Sequence, residues 1–411
     1  MALESDHSLN QASCAVFTPK TVEEVQHTVR SHPGMALVPW GNGTCQHIGY
    51  APPAEHAILN SLSLNSIVDL SPNDLTVTVE SGMTVGKIDE ALLPYGLRLP
   101  FDTALPHQRT IGGVISTRSN SLRRCLYGSI RDAVLGISVI NGMGDVVKAG
   151  GRVVKNVSGY DLCKLYCGAF GTLGFITETT LRLVPVPDRT VCVTVMLPNN
   201  RNCEEPLDQL ISSDLQPSFL YLLNAGGTRA IGLSDSGTEF QTIVIGIDGM
   251  RSDVDWQIDF LGSSGGVFVE EADVMLRQKL RDAPLQAAEL TVSFHVMSSQ
   301  VGAFSRMVEW TANLFGFSVA LYSDALTGIM CGHFMNITAE PARWTELHVA
   351  LLEKSQRCGG SVVFERLPSE LRENGVDIWS PVLDDSYIMQ RIKSTLDPVS
   401  RWNVGRFYNR I

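Results

Sequence analysis

The chain has no long hydrophobic run. Nowhere in its 411 residues do apolar side chains continue for the roughly 18 positions that a membrane helix needs, so direct membrane insertion is not expected. It has no excess of basic residues either: Lys+Arg number 32 against 43 Asp+Glu, a net charge of -11. An acidic chain repels phosphate backbones and anionic lipids, which argues against nucleic-acid or membrane-surface binding. The opening Met1-Ala2-Leu3-Glu4-Ser5-Asp6-His7 lacks a basic stretch followed by an apolar core, so no signal peptide is read. Paired cysteine spacing is missing as well. Nine Cys, an odd number scattered from Cys14 to Cys358, fit reduced thiols in a cytoplasmic protein better than a disulfide framework. Cys163 and Cys167 match neither a CxxC pair nor an iron–sulfur run, and are read as packing on a short helix. Neither a fixed-period repeat nor a low-complexity segment occurs.

What is present is a globular balance, 44% hydrophobic and 18% charged, in a chain too long for one ordinary domain. Thr21 with Glu24 forms a capping box ahead of a helix whose stripe is Val22, Val25 and Val29, stopped by His32-Pro33-Gly34. Ala36 to Pro39 reads as a buried strand, and the β-branched alternation from Leu75 to Val79 as another. Ile88, Ala91, Leu92 and Tyr95 mark a helix closed by Gly96. Val134–Ile140 and Val146-Val147 flank a turn at Asn141–Asp145 and predict a hairpin. Phe175–Val184 is a further strand, and Pro185-Val186-Pro187 then punctuates the chain. The following region has a different rhythm. Strand-like runs at Val191–Met196, Phe219–Leu223, Gln241–Ile247, Leu290–Met297, Phe317–Tyr322 and Ile329–Ile337 alternate with helical stripes, which predicts an antiparallel sheet covered by helices. A short helix carrying Tyr387, Ile388, Arg391 and Ile392 precedes Asp397-Pro398.

Trp40-Gly41-Asn42-Gly43-Thr44 follows a strand. Glycines on either side of a small polar residue permit a backbone nest whose N–H groups suit a phosphate oxygen. The run is neither G-x-G-x-x-G nor a Walker loop, since no lysine follows, and a plain turn remains the alternative. Further clusters at Thr110-Ile111-Gly112-Gly113 and from Gly168 to Gly174 are harder to explain as turns.

These clusters occur in order with Tyr127-Gly128-Ser129-Ile130-Arg131-Asp132 and Gly150–Asp161. Together they resemble the FAD-binding lobe of the vanillyl-alcohol oxidase / p-cresol methylhydroxylase superfamily. Glu365-Arg366-Leu367-Pro368, Val376–Trp379, Leu396-Asp397-Pro398 and Asn403-Val404-Gly405-Arg406-Phe407 resemble the FAD-binding subunits of glycolate oxidases, with Val404 where the motif usually has Pro. The resemblance implies an α+β chain: a two-subdomain FAD-binding lobe over residues 1–187, an α+β cap over 188–366, and a C-terminal segment, 367–411, returning to the FAD-binding domain. It implies that Gly41, Asn42, Gly43, Thr44 and Cys45 cradle the pyrophosphate. Thr110, Gly112, Gly113, Ser116 and Ser119 would line the same channel, and Gly171, Gly174 and Ile176 would approach the adenosine end. Lys155 and Arg131 are positive candidates beside it; for each, a structural ion pair (Asp161 or Asp132) is the competing reading. His47, and on position alone Cys45, are candidates for covalent flavin attachment, although non-covalent FAD is the expectation.

Relatives that oxidise lactate or glycolate carry paired His and a Glu-His for a metal that polarises the hydroxyl. Here His333 stands alone in Met330–Phe334, and Glu365 is followed by Arg366, so no metal site is expected. Tyr160, Arg366 and His333 are the remaining catalytic candidates, and nothing in their spacing singles one out. The resemblance thus implies a subunit that handles a small hydroxy acid together with a second FAD subunit and an iron–sulfur subunit. Such a protein would be cytoplasmic, reaching a membrane only through its partners. A self-contained FAD oxidoreductase is the alternative.

Overall fold

The computed structural model describes residues 14–151, 161–198, 203–233, 240–263, 269–271, 274–338, 340, 342–381 and 385–411. Two compact units divide the chain, Met1–Val186 with Val382–Ile411 and Pro187–Pro381. The return comes at Val382 rather than 367, because Trp379 and Ser380 pair with Val363 and Val362 and hold the intervening residues on the second unit's sheet.

The first unit opens with β1 (Ala15–Phe17), α1 (Val22–Ser31), β2 (Leu37–Trp40) and β3 (Ala57–Asn60). The strands form a parallel sheet in the order β1-β3-β2. Thr21 caps α1, its Oγ1 accepting from Glu24 N at 3.2 Å. The Glu24 carboxylate takes Lys20 N at 2.7 Å, one residue before the cap itself. Buried Val25 and Val29 pack from α1 against Leu37, Leu59 and Trp402.

Next come β4 (Ile67–Ser71), β5 (Thr76–Glu80), α2 (Val85–Leu92), β6 (Leu97–Arg98), α3 (Ile111–Thr117), α4 (Arg124–Tyr127), α5 (Ile130–Ala133), β7 (Val134–Ile140), β8 (Val146–Gly150), α6 (Leu162–Tyr166), β9 (Phe175–Arg182) and β10 (Val184–Pro185). A five-stranded antiparallel sheet runs β4-β5-β9-β7-β8. Val77 and Val79 of β5 and Leu181 of β9 share its core with Ile88, Ile111 and Ile115. Burial of each such side chain stabilises the fold by roughly 1.5–3 kcal/mol.

The second unit carries β11 (Arg189–Pro198), α7 (Glu204–Ile211), β12 (Phe219–Leu223), α8 (Ala225–Ala230), β13 (Phe240–Gly249), α9 (Arg251–Ser263), β14 (Val269–Glu271), α10 (Val274–Asp282), β15 (Leu290–His295), α11 (Val301–Leu314), β16 (Phe317–Asp324), β17 (Ile329–Asn336), α12 (Ala342–Arg357), β18 (Ser361–Arg366), α13 (Ser369–Glu373) and β19 (Trp379–Ser380). Its sheet runs β14-β11-β13-β12-β16-β17-β15-β18-β19, with antiparallel pairing throughout. Val301, Phe304, Val308 and Ala312 are the buried face of α11, and Phe304 meets Phe294 of β15 edge to face at 5.4 Å. The chain then re-enters the first unit through α14 (Ser386–Leu396). Among the described residues no helix is long and apolar enough to cross a membrane.

Candidate functional site

Within the first unit, β2 delivers the chain into the loop from Gly41 to Gln46, and that loop forms one wall of a cleft of about 720 Å³, counting its solvent-open part. Thr110 and α3 form a second wall, the loop from Phe170 to Ile176 a third, and Asn403 with Arg406 a fourth. Thr110 caps α3, its Oγ1 accepting from Gly113 N at 3.4 Å. Gly43 sits at φ +74°, and a Cβ there would stand 2.8 Å from the Trp40 ring. A side chain at Gly174 would meet Ile140 O at 2.8 Å. The backbone at both positions therefore requires glycine.

Twelve sequence-predicted residues are brought together on this cleft: Gly41, Asn42, Gly43, Thr44, Cys45, Thr110, Gly112, Gly113, Ser116, Gly171, Gly174 and Ile176. Ser119 is not among the lining residues. Its hydroxyl is engaged with Arg109 Nη2 at 2.5 Å and Thr117 Oγ1 at 2.9 Å, so it acts on Arg109. Lys155 and Tyr160 lie outside the described residues. Asp161, the partner suggested for Lys155, pairs with Lys164 at 3.1 Å among the described residues. Arg131 sits on α5, off the cleft, and the Asp132 carboxylate closes a capping box with Ser129. His47 is half-buried and does not line the cleft, whereas Cys45 does.

The residues that sequence reasoning missed are the charged ones. Arg109 and Arg406 are the only charged side chains among the described lining residues. Arg109 is 5% exposed, and its guanidinium reaches Thr103 Oγ1 at 2.9 Å, Thr117 Oγ1 at 3.1 Å, Ser119 Oγ and Cys45 Sγ at 3.1 Å. Arg406 is 3% exposed and donates from Nη2 to the carbonyls of Gln46 at 2.7 Å and Cys45 at 3.3 Å. Burial pushes its guanidinium down to about 10, with Cys45 opposing, so it stays charged at neutral pH. Neither arginine has a carboxylate partner among the described residues. Two buried positive charges without counter-ions call for an anionic ligand, because an uncompensated buried charge is costly.

Orphaned polar atoms line the same cleft: Gln46 Oε1, Ser81 Oγ, Asn403 Oδ1 and Arg406 Nε are buried without a hydrogen-bond partner. Buried polar groups are normally satisfied. Their concentration here marks a surface built to meet a polar ligand.

A family model described as "FAD binding domain" matches residues 14–150. The solved structure of 4-ethylphenol oxidase from Gulosibacter chungangensis superposes with a TM-score of 0.72, covering 95% of this chain and 88% of that one at 15% identity. Its fold is that of 4-ethylphenol oxidase, and residues 14–150 carry the FAD binding domain. It is an FAD-dependent oxidoreductase of α+β fold, and FAD is its cofactor. Glycolate oxidase subunit GlcD of Bacillus subtilis (strain 168) is 25% identical over 96% of this flavoprotein and 88% of its own length. Mitochondrial D-lactate dehydrogenase [cytochrome] of Arabidopsis thaliana is 31% identical over 56% of the flavoprotein, which spans only 40% of that relative.

The cleft fits the cofactor chemically. A long dianion needs backbone donors, glycine where the backbone passes close, and positive charge, and all three are present. In the second unit of the flavoprotein, His333 has both ring nitrogens engaged, Nδ1 with Thr291 Oγ1 at 3.1 Å and Nε2 with Ala283 O at 2.8 Å. The carbonyl can only accept, so Nε2 carries a proton. Burial holds its pKa below the usual histidine value. Glu365 accepts from Ser293 Oγ at 2.5 Å. Among the described residues no three His, Cys, Asp or Glu side chains gather as a metal site.

Proposed function

We propose that the chain is the FAD-binding subunit of a 2-hydroxy-acid dehydrogenase assembly, with glycolate as the first substrate to try. The observation that carries this reading is the likeness to glycolate oxidase subunit GlcD along 96% of the chain, so that it extends well beyond the FAD lobe. Residues 1–187 with the C-terminal return hold the cofactor, and the second unit is the cap. Arg109 and Arg406 face the diphosphate. Gly41–Cys45, Thr110, Gly112, Gly113, Ser116 and Gly171–Ile176 close around it; the Ser81 hydroxyl can donate to the cofactor, and Gln46 Oε1 and Asn403 Oδ1 can accept from it. Lys155 is assigned to the same anionic surface. Bound FAD supplies two-electron acceptance, so the hydroxy acid leaves as the 2-oxo acid.

Partner chains in this reading are a second FAD subunit and an iron–sulfur subunit that passes electrons onward. The lone, doubly engaged His333 supports assigning substrate activation to another chain. FAD is held without a covalent bond, so acid precipitation should release all yellow colour. The test is anaerobic addition of glycolate, D-lactate or D-2-hydroxyglutarate to the FAD-loaded chain, alone and with co-expressed partners. Bleaching at the turnover rate only with partners supports the subunit reading. Equal bleaching by the chain alone overturns it in favour of a self-contained oxidoreductase.

A further inference from the structure

The fourth wall of the cleft is made by residues near the C-terminal end, Asn403 and Arg406, and a buried ion pair is among the contacts that fasten it. Lys393, in the last turn of α14, is 7% exposed, and Asp397 is fully buried. Lys393 Nζ donates to Asp397 Oδ2 at 2.6 Å, Thr172 O at 2.6 Å and Trp402 O at 2.7 Å. An ammonium has three protons, and here each has its own acceptor. The same Asp397 Oδ2 also accepts from Arg401 N and Trp402 N, both at 2.8 Å.

The three acceptors of Lys393 belong to different pieces. Thr172 lies between Gly171 and Gly174, in the glycine loop that lines the cleft. Trp402 immediately precedes Asn403, whose Nδ2 donates to Phe170 O at 2.6 Å on that same loop. Arg406 lies three residues beyond Asn403, and its N bonds back to Asn403 O at 3.2 Å. The ammonium therefore fixes the spacing between the glycine loop and the Asn403–Arg406 wall without lining the cleft itself. Trp402, buried against Phe175 at 6.0 Å between ring centroids, supplies the apolar half of the fastening.

We infer that Lys393 and Asp397 are the positioning pair that locks the C-terminal return as a wall of the FAD cleft, so that FAD affinity is set by two residues that do not line it. This rests on the reading of the cleft as the FAD site. A pair with only a structural role would lower the stability of the apo chain. A positioning pair must also change FAD affinity in the folded chain.

The test compares wild type, Lys393→Met, Asp397→Asn and the double variant by FAD titration of the apo chain, followed by flavin fluorescence quenching. The unfolding midpoint of each apo chain and the visible absorption of bound FAD are measured alongside. The double variant removes both charges of the pair but leaves Arg401, 5% exposed, without the Asp397 charge beside it, so its unfolding midpoint should fall; the folded double variant should still bind FAD at least ~10-fold more weakly, with a shifted flavin band. Hydrogen exchange of residues 399–411 should be slowed by FAD in wild type and not in the double variant. Should the double variant prove unstable, that exchange difference between single variants and wild type decides the matter. Wild-type FAD affinity and flavin spectrum in the double variant, or tail exchange unaffected by FAD in wild type, would overturn the proposal. A wild-type chain that takes up no FAD overturns the site reading beneath it.

Discussion

Two sites, one in each unit, treat a guanidinium in opposite ways. In the second unit Arg277 meets Asp248 through two parallel bonds, 2.6 Å and 2.9 Å, and lies over the Phe219 ring at 5.3 Å from its centroid. In the first unit Arg109 and Arg406 are buried among hydroxyls, a thiol and carbonyls, with no carboxylate among the described residues. The first arrangement is complete and holds structure. The second, in the function proposed above, would be completed by the anionic cofactor. The lesson is that the counter-ion, rather than burial or residue type, separates an architectural arginine from a ligand-binding one.

Substitutions at these positions should separate the two kinds. Arg277→Met removes both bonds to the buried Asp248 carboxylate and should cost about 3–5 kcal/mol of unfolding free energy in denaturant titration, with FAD affinity unchanged in the folded protein. Gly43→Val forces a branched side chain to positive φ against Trp40. It should abolish measurable FAD binding and, with the ligand gone, lower the thermal midpoint to that of the apo chain. Arg109→Met and Arg406→Met should each weaken FAD by about 1.5–3 kcal/mol, the worth of a charge-assisted bond, while changing apo stability far less than Arg277→Met. An Arg109→Met chain with wild-type FAD affinity would break the contrast.

The smallest expected effect concerns pH. Burial lowers the pKa of His333 and of His348, so the unfolded chain binds those protons more readily than the folded one. Their stabilising contribution is therefore fully present above the unfolded histidine value of about 6.5 and is lost as pH falls through the folded pKa. His333→Gln should flatten part of that acid limb in thermal melts while leaving FAD affinity alone.

Much of the fold was legible because local chemistry agreed with it. Thr21 capped its helix, and the strand-like runs at Phe219–Leu223 and Ile329–Ile337 became β12 and, one residue shorter, β17. Short edge strands were not legible: β14 and β19 span three and two residues, too few to display a period. Of the site, the glycine clusters were readable because close backbone approach leaves a residue signature. Arg109 and Arg406 were not, although Arg109 adjoins a quoted motif and Arg406 lies inside one. What marks them is the lack of a nearby carboxylate, and that is a property of three-dimensional packing. Ser119 was misplaced for the same reason: a serine close to the glycine cluster looks like a ligand until its hydroxyl is seen holding Arg109. The Lys393–Asp397 pair was not legible, since nothing in the sequence says that Thr172 lies against it.

The most direct measurement is calorimetric titration of FAD into the apo chain and into Arg109→Met/Arg406→Met. Wild type should bind one FAD per chain, with affinity that weakens as salt rises. The double variant should remain folded and bind at least ~100-fold more weakly, with a smaller salt dependence. FAD binding to the folded double variant with wild-type affinity would contradict the claim that these two guanidiniums form the anion site of the cleft.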